Sequence, residues 1–155
     1  MKSLQTCIEA GIPCLLWGGP GVGKTKSIQA YSVQSGRYMK TFIASIHEPS
    51  DLGFPIINGK MIAYGIPEFA MALAEAPKGL LFLDELSTAA PLMQAACLRV
   101  VAERVVGEFS LPNSVSIVAA ANPPDQVVGG WDLTPPLANR FCHLQWVVAP
   151  LQWIN

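Results

Sequence analysis

Charge is scarce in this chain. Asp, Glu, Lys and Arg make up 14% of its 155 residues, and the formal net charge is −1. No Lys/Arg cluster occurs, so the electrostatic footprint of a nucleic-acid binder is missing. No apolar run approaches the length of a membrane span, and the first residues show no signal-peptide apolar region. Histidine is limited to His47 and His143, whose spacing is not that of ligands, so both are read as structural. The four cysteines, Cys7, Cys14, Cys97 and Cys142, are scattered and form no C-x-x-C. Three of them fall in apolar strand or helix patterns, which points to reduced core residues of a cytoplasmic protein. Internal repeats and low-complexity linkers are also missing. What is abundant is apolar residues, 51% of the chain. That composition and length fit one globular domain with a sizeable core.

Apolar runs at 14–17, 40–45, 79–84, 115–121 and 143–148 read as strands. Helical segments lie between them at 24–35, 67–76, 91–104 and 135–140. Strands alternating with helices predict an α/β domain with a parallel sheet covered on both faces. Pro67 opens one helix where its missing N–H costs nothing, and Pro77 follows that helix's end. Ser87 or Thr88 is expected to cap the helix at 91. Two hairpins interrupt the alternation. One is Ile56-Ile57-Asn58-Gly59-Lys60-Met61-Ile62, with the turn signal Asn-Gly. The other is Val105-Val106-Gly107-Glu108-Phe109.

The chemistry begins at Gly18-Gly19-Pro20-Gly21-Val22-Gly23-Lys24-Thr25, a complete Gly-x4-Gly-Lys-Thr phosphate-binding loop. Glycines let the backbone approach a phosphate, and successive N–H groups at a helix start form an anion nest. Lys24 can reach the β- and γ-phosphates, and the Thr25 hydroxyl can hold Mg²⁺. The strand Cys14–Trp17 before the loop and the helix after it supply the context that the motif requires.

Gly79-Leu80-Leu81-Phe82-Leu83-Asp84-Glu85 is an apolar strand ending in two carboxylates. Asp84 at its C-terminal end suits the Mg²⁺ shell, and Glu85 suits a base that orients and deprotonates a water. Without the upstream loop, Asp-Glu could equally be a solvated turn or cap. Asn122 closes the apolar strand Val115–Ala121. It can touch the γ-phosphate or the attacking water, or simply start a turn with Pro123. Arg140, near the end of the short helix opened by Pro135 and Pro136, either complements that helix's dipole or is an arginine finger. Spacing alone does not decide.

Together these residues resemble an AAA+ ATPase, and more narrowly the MoxR family. By position, Gly18–Thr25 matches the Walker A loop, Leu80–Glu85 matches Walker B with its catalytic Glu, Asn122 matches sensor 1, and Arg140 in Asn139-Arg140-Phe141 matches the finger. The narrower likeness rests on three stretches: Glu48-Pro49-Ser50-Asp51-Leu52-Gly53 with the hairpin after it, Ala96 to Val106, and Gly130-Trp131-Asp132-Leu133 running on to Pro136–Phe141. The resemblance covers residues 12–148. It implies a P-loop NTPase three-layer sandwich with a five-stranded parallel sheet in order 5-1-4-3-2 and hairpin inserts. It also implies ATP and Mg²⁺ as ligands, a ring (usually a hexamer) when a lid is present, hydrolysis between subunits, and chaperone-like remodelling of protein substrates. Proteins with a von Willebrand factor A domain are the implied partners. The implied nucleotide contacts run over Gly19, Pro20, Gly21, Val22, Gly23, Lys24 and Thr25; Thr25 and Asp84 are the metal ligands; Glu85, Asn122 and Arg140 are the catalytic groups.

Three features depart from the family. The helical lid with its sensor 2 arginine is expected to be missing from these 155 residues, 17 residues of them precede Gly18, and Asn139 stands where many members have Asp. We therefore expect residues 1–150 to form the core domain and 151–155 the truncated start of the lid connection. An apolar tail of Trp146, Leu151, Trp153 and Ile154 is expected to lie under that lid. Two other readings remain at this stage. One is a non-hydrolysing AAA+ module that joins or caps a partner ring. The other is a DNA-working or GTP-using P-loop motor, with Lys60 and Arg104 as its few hairpin cations.

Overall fold

A computed structural model describes residues 2–126 and 131–147. Five parallel strands make the central sheet: β1 (Cys14–Trp17), β2 (Tyr38–Ile43), β5 (Gly79–Asp84), β8 (Val115–Ala121) and β9 (Cys142–Gln145), in spatial order β2-β5-β8-β1-β9. Ranked by sequence this is 5-1-4-3-2, the order the resemblance implied. The central strands are apolar without interruption because both faces of the sheet are covered. All seven residues of β8 are buried, as are the first five of β5.

Alternation along the strands divides the core into two layers. Leu81 and Leu83 face one layer with Leu15, Ile117 and Ala119. That side is covered by α3 (Glu68–Glu75) through Ala70 and Leu73, by α4 (Pro91–Glu103) through Met93, Cys97, Val100 and Val101, and by α5 (Pro135–Ala138) through Leu137. Leu80 and Phe82 face the other layer with Cys14, Leu16 and Val118. There α2 (Lys24–Gln34) contributes Ile28 and Tyr31, and α1 (Lys2–Glu9) contributes Leu4, Cys7 and Ile8. Helix α1 was not anticipated from the sequence. Its buried residues follow helical spacing, and the Ser116 hydroxyl on β8 donates to the Ile8 carbonyl at 3.0 Å. Phe82 is fully buried at the centre. Its truncation to Ala would cost about 3–5 kcal/mol.

The two hairpins differ. The first, β3 (Phe54–Asn58) with β4 (Met61–Gly65), pairs Asn58 with Met61, so the turn is Gly59-Lys60 rather than Asn58-Gly59. Nine of its ten strand residues are exposed, and Ile57 is 82% exposed. The second, β6 (Val105–Val106) with β7 (Phe109–Ser110), is short and anchored by the buried Val106. The hairpin roots meet at two glycines. A Cβ on Gly53 would lie 2.6 Å from the Gly107 Cα, and Gly107 itself has φ +61°. Neither position accepts a side chain without moving the other strand.

Several expectations need correction. Strand β2 begins two residues earlier than the apolar pattern suggested, and β9 ends at Gln145 rather than 148. Helix α4 is capped at Ala90 by backbone alone, not by Ser87 or Thr88. The Ser87 hydroxyl instead accepts from the Asn122 N–H, and the Thr88 hydroxyl donates to the Glu85 carbonyl. Arg104 is not a free hairpin cation. It caps α4 with φ 58°, and its guanidinium donates to the Pro112 carbonyl at 2.8 Å and to that of Val115. Gly130 and the tail residues Leu151, Trp153 and Ile154 lie outside the described residues, as does the expected lid connection at 151–155.

Candidate functional site

Strands β1, β5 and β8 deliver their C-terminal ends to one edge of the sheet, where ligands of open α/β folds sit. At the end of β1, the Gly18 N–H donates to the Ala121 carbonyl at 3.2 Å, which ties the loop to β8. Gly21 and Gly23 adopt φ +73° and +80°, values that disfavour any side chain. Gly23 then serves as N-cap of α2, with Lys24 and Thr25 in its first turn.

Lys24 is buried and makes three hydrogen bonds. Its ammonium donates to the Gly18 carbonyl at 2.5 Å, the Gly19 carbonyl at 2.9 Å and Asn122 Oδ1 at 2.9 Å. Burial pushes its pKa below the ordinary lysine value, while Asp84 and Glu85 oppose that shift. The charge is therefore costly in the folded chain and is held by directed acceptors.

The Thr25 hydroxyl donates to Asp84 Oδ2 at 2.7 Å, and Asp84 Oδ1 accepts from the Glu85 N–H at 2.9 Å. Glu85 itself has φ 55°, a left-handed conformation uncommon outside glycine. Such strain costs of order 1–3 kcal/mol and collects at functional positions. One carboxylate oxygen of Glu85 accepts from the Ser45 hydroxyl just beyond β2. Lys24, Thr25, Asp84, Glu85 and Asn122 line a cleft of about 140 Å³, together with Pro20, Gly21 and Ala120. Two hard oxygen donors, Thr25 and Asp84, thus meet at one point. Among the described residues no group of three or more His, Cys, Asp or Glu could hold a metal by itself. That donor set suits Mg²⁺, which takes one or two protein oxygens and keeps waters and phosphate oxygens for the rest of its octahedron.

Arg140 is elsewhere. It lies two residues before the start of β9, whose first residue Cys142 is in register with Cys14, the first residue of β1. The phosphate loop follows the other end of β1. About 13 Å of strand separates the two levels. Arg140 is exposed, and no hydrogen bond or ion pair holds its guanidinium among the described residues. Its backbone is better fixed, with the Arg140 N–H donating to the Leu137 carbonyl at 3.1 Å.

Two supporting residues, Ser45 and Gln94, were not singled out in the sequence, and Ser87 was singled out only as a helix cap. Gln94 is fully buried on α4. Its amide donates to the Ala89 and Asp132 carbonyls at 3.0 and 3.3 Å, and its oxygen accepts from the Thr134 N–H at 2.8 Å. It thereby pegs the segment that leads into α5 and Arg140. A polar residue inside an apolar helix face was the signal available for Gln94; Ser45 carried none, and the spacing of Ser87 pointed to a cap rather than to Asn122. His143 fits its structural reading. It accepts from Trp17 Nε1 at 2.8 Å through Nδ1, and its Nε2 meets the Ala138 carbonyl at 2.8 Å.

No protein-family profile matches the chain. It is 30% identical over 114 residues to Chaperone MoxR1 of Mycobacterium tuberculosis, an alignment that covers 70% of this chain and 29% of the relative. Its fold is similar to the crystal structure of a candidate ATPase from Cytophaga hutchinsonii, with TM-score 0.65 and 22% identity over 97% of this chain and 46% of that one. The chain therefore spans less than half the length of either protein.

Proposed function

We propose, for a chain that carries a MoxR-type AAA+ ATPase core, that it binds ATP with Mg²⁺ and hydrolyses the terminal phosphate to drive remodelling of protein partners. The observation that carries the reading is the meeting of Lys24, Thr25, Asp84, Glu85 and Asn122 around one cleft from three separate strand ends. A satisfied structural turn has no use for a buried ammonium beside two carboxylates.

The nucleotide's phosphates lie along Gly19–Thr25, against backbone N–H groups at the start of α2. Lys24 exchanges its carbonyl and Asn122 acceptors for β- and γ-phosphate oxygens. Thr25 and Asp84 hold Mg²⁺, which when bound neutralises charge building on the phosphate oxygens. Glu85 accepts the proton of the attacking water, and Asn122 orients that water. Arg140 is too far along the strand direction to serve its own cleft, which supports a finger offered to a neighbouring subunit in a ring, a hexamer in the expected form. A von Willebrand factor A domain protein is the proposed partner of that ring. No described helix is long and apolar enough to cross a membrane.

The test is calorimetric titration of the chain with ATP and Mg²⁺, followed by phosphate-release assays of the chain and its Glu85→Gln variant. Saturable binding by both, with hydrolysis confined to the parent, supports the proposal. An absence of ATP binding refutes it. Equal hydrolysis by the two reduces Glu85 to a strand-end turn residue.

A further inference from the structure

Three of the four cysteines, far apart in sequence, meet at the end of the sheet opposite the phosphate cleft. Cys14 opens β1 and Cys142 opens β9, and the two are register partners on adjacent parallel strands. Partners in register project from the same face of a sheet. That face is the one covered by α1, where Cys7 packs in the same buried cluster as Cys14 and Leu16. The backbone closes the corner. The Ile12 N–H donates to the Cys7 carbonyl at 2.9 Å, and the Cys142 N–H donates to the Pro13 carbonyl at 2.8 Å. Helix α1, which carries Cys7, packs against both β1 and β9, the strands that Cys14 and Cys142 open.

The three thiols are not equivalent. Cys14 is fully buried in the apolar layer, and burial pushes its pKa up to about 12, so it has no thiolate to offer. Cys7 is nearly buried, and its pKa is also raised, first by burial and then by Cys142. Cys142 stands exposed on the edge strand. One accessible sulfur therefore sits against one sheltered sulfur. That is the arrangement of an oxidisable thiol next to a resolving thiol. The cluster is no metal site, since no such group among the described residues could hold a metal.

We infer that Cys142 and Cys7 form a reversible disulfide when the protein meets a hydroperoxide. In the first step the Cys142 thiolate attacks one peroxide oxygen. An S–O bond forms, the O–O bond breaks, and the departing oxygen leaves as hydroxide, which takes up the proton the thiol gave up and becomes water, giving a sulfenic acid on Cys142. In the second step the Cys7 sulfur attacks the Cys142 sulfur. The S–S bond forms, the S–O bond breaks, and the hydroxide leaves as a second water with the Cys7 proton. Overall two thiols and one molecule of hydrogen peroxide give one disulfide and two waters. The product ties α1 to β9 across the start of β1, two residues beyond Arg140. It closes a covalent loop around nearly the whole chain.

The experiment uses the full chain, first reduced, then treated with hydrogen peroxide, alkylated and digested without reductant for mass mapping. The expected product is a peptide pair joined through Cys7 and Cys142, lighter by two hydrogens than its parts and released by dithiothreitol. Cys14 and Cys97 stay free to alkylate. A Cys14→Ser variant keeps the link. Cys142→Ser, at an exposed position, loses it and leaves Cys7 free. The inference is overturned if all four thiols remain alkylatable, if the link joins Cys7 to Cys14, if Cys142 joins its counterpart in a second chain, or if Cys142 proceeds to sulfinic acid without pairing.

Discussion

Lys24 is wrapped by three acceptors at 2.5, 2.9 and 2.9 Å, whereas the Arg140 guanidinium stands exposed with no acceptor among the described residues. Both are cations assigned to the same phosphate chemistry. Lys24 sits where β1, β5 and β8 end, tied to Asn122 and packed beside the Thr25–Asp84 pair. Arg140 sits beyond the opposite end of β9, on a backbone held by α5 and the register with β1. The difference teaches which parts of the chemistry one chain organises by itself. The cleft groups are pre-oriented by their own fold, so their geometry needs no second molecule. Arg140 has a fixed root and an unassigned head, so the finger role proposed for it requires another surface to bring phosphates to it.

Lys24→Ala breaks the comparison from the cleft side and carries the largest expected effect. It removes the one loop cation, so most triphosphate affinity should vanish in calorimetric titration. The fold should survive, because burial already disfavours the charged ammonium and its removal relieves that cost. Melting at or above the parent temperature, with unchanged ATP affinity, would mean that the phosphates do not lie on this loop.

Arg140→Ala attacks the other side. Binding should stay near the parent value while assembly-dependent hydrolysis falls by about 10³–10⁵, the range of an arginine supplied from a neighbour. Mixing sharpens it. Arg140→Ala subunits keep a working cleft and Lys24→Ala subunits keep a working finger. Titrating one into the other, in a form that assembles, should restore part of the ATPase activity. Confirmed mixed rings with no recovery at any ratio would return Arg140 to the role of a charge at a helix end.

Glu85→Gln comes next. Shape and hydrogen bonding persist, binding persists, and phosphate release should drop at least about a hundredfold, the scale of general-base catalysis. Asn122→Ala should move the rate in the same direction by less, since it only positions the water and Lys24 keeps its two carbonyl acceptors.

The contrast between the cleft and the finger also governs how much could be read from the residues alone. Lys24, Thr25, Asp84 and Glu85 were legible because each closes or follows a short apolar strand, and a strand's end locates its neighbours at one sheet edge. The strand order came from resemblance rather than from hydropathy, which says nothing about pairing. Helix α1 was passed over although Leu4, Cys7 and Ile8 carry its period, because eight residues give that pattern little weight. The meeting of Cys7, Cys14 and Cys142 was not readable, since it depends on the register of β1 with β9 and on α1 lying across them. Ser87 looked like a cap by sequence spacing, but its hydroxyl went to a strand end that only the tertiary fold brings near.

Gln94→Met has the smallest expected effect and probes the ground between the two regions. The change keeps the side chain's length and removes three hydrogen bonds, leaving the Thr134 N–H without its acceptor. A buried group left unsatisfied costs about 1–3 kcal/mol, so denaturant unfolding should show a loss of that size. The segment from Asp132 to Thr134 leads to Arg140 in one direction. In the other it reaches the cleft, because the Trp131 N–H donates to the Ser87 carbonyl at 3.2 Å and the Ser87 hydroxyl holds the Asn122 N–H at 3.0 Å. If the cleft is organised by its strands, Gln94→Met should leave ATP affinity unchanged, because Lys24 and Thr25 touch nothing that Gln94 holds. Assembly-dependent hydrolysis should then fall, by less than in Arg140→Ala, since the finger is loosened rather than removed. If ATP affinity instead drops in step with stability, the route through Trp131 and Ser87 reaches the phosphates, and the cleft and the finger form one mechanical unit rather than two.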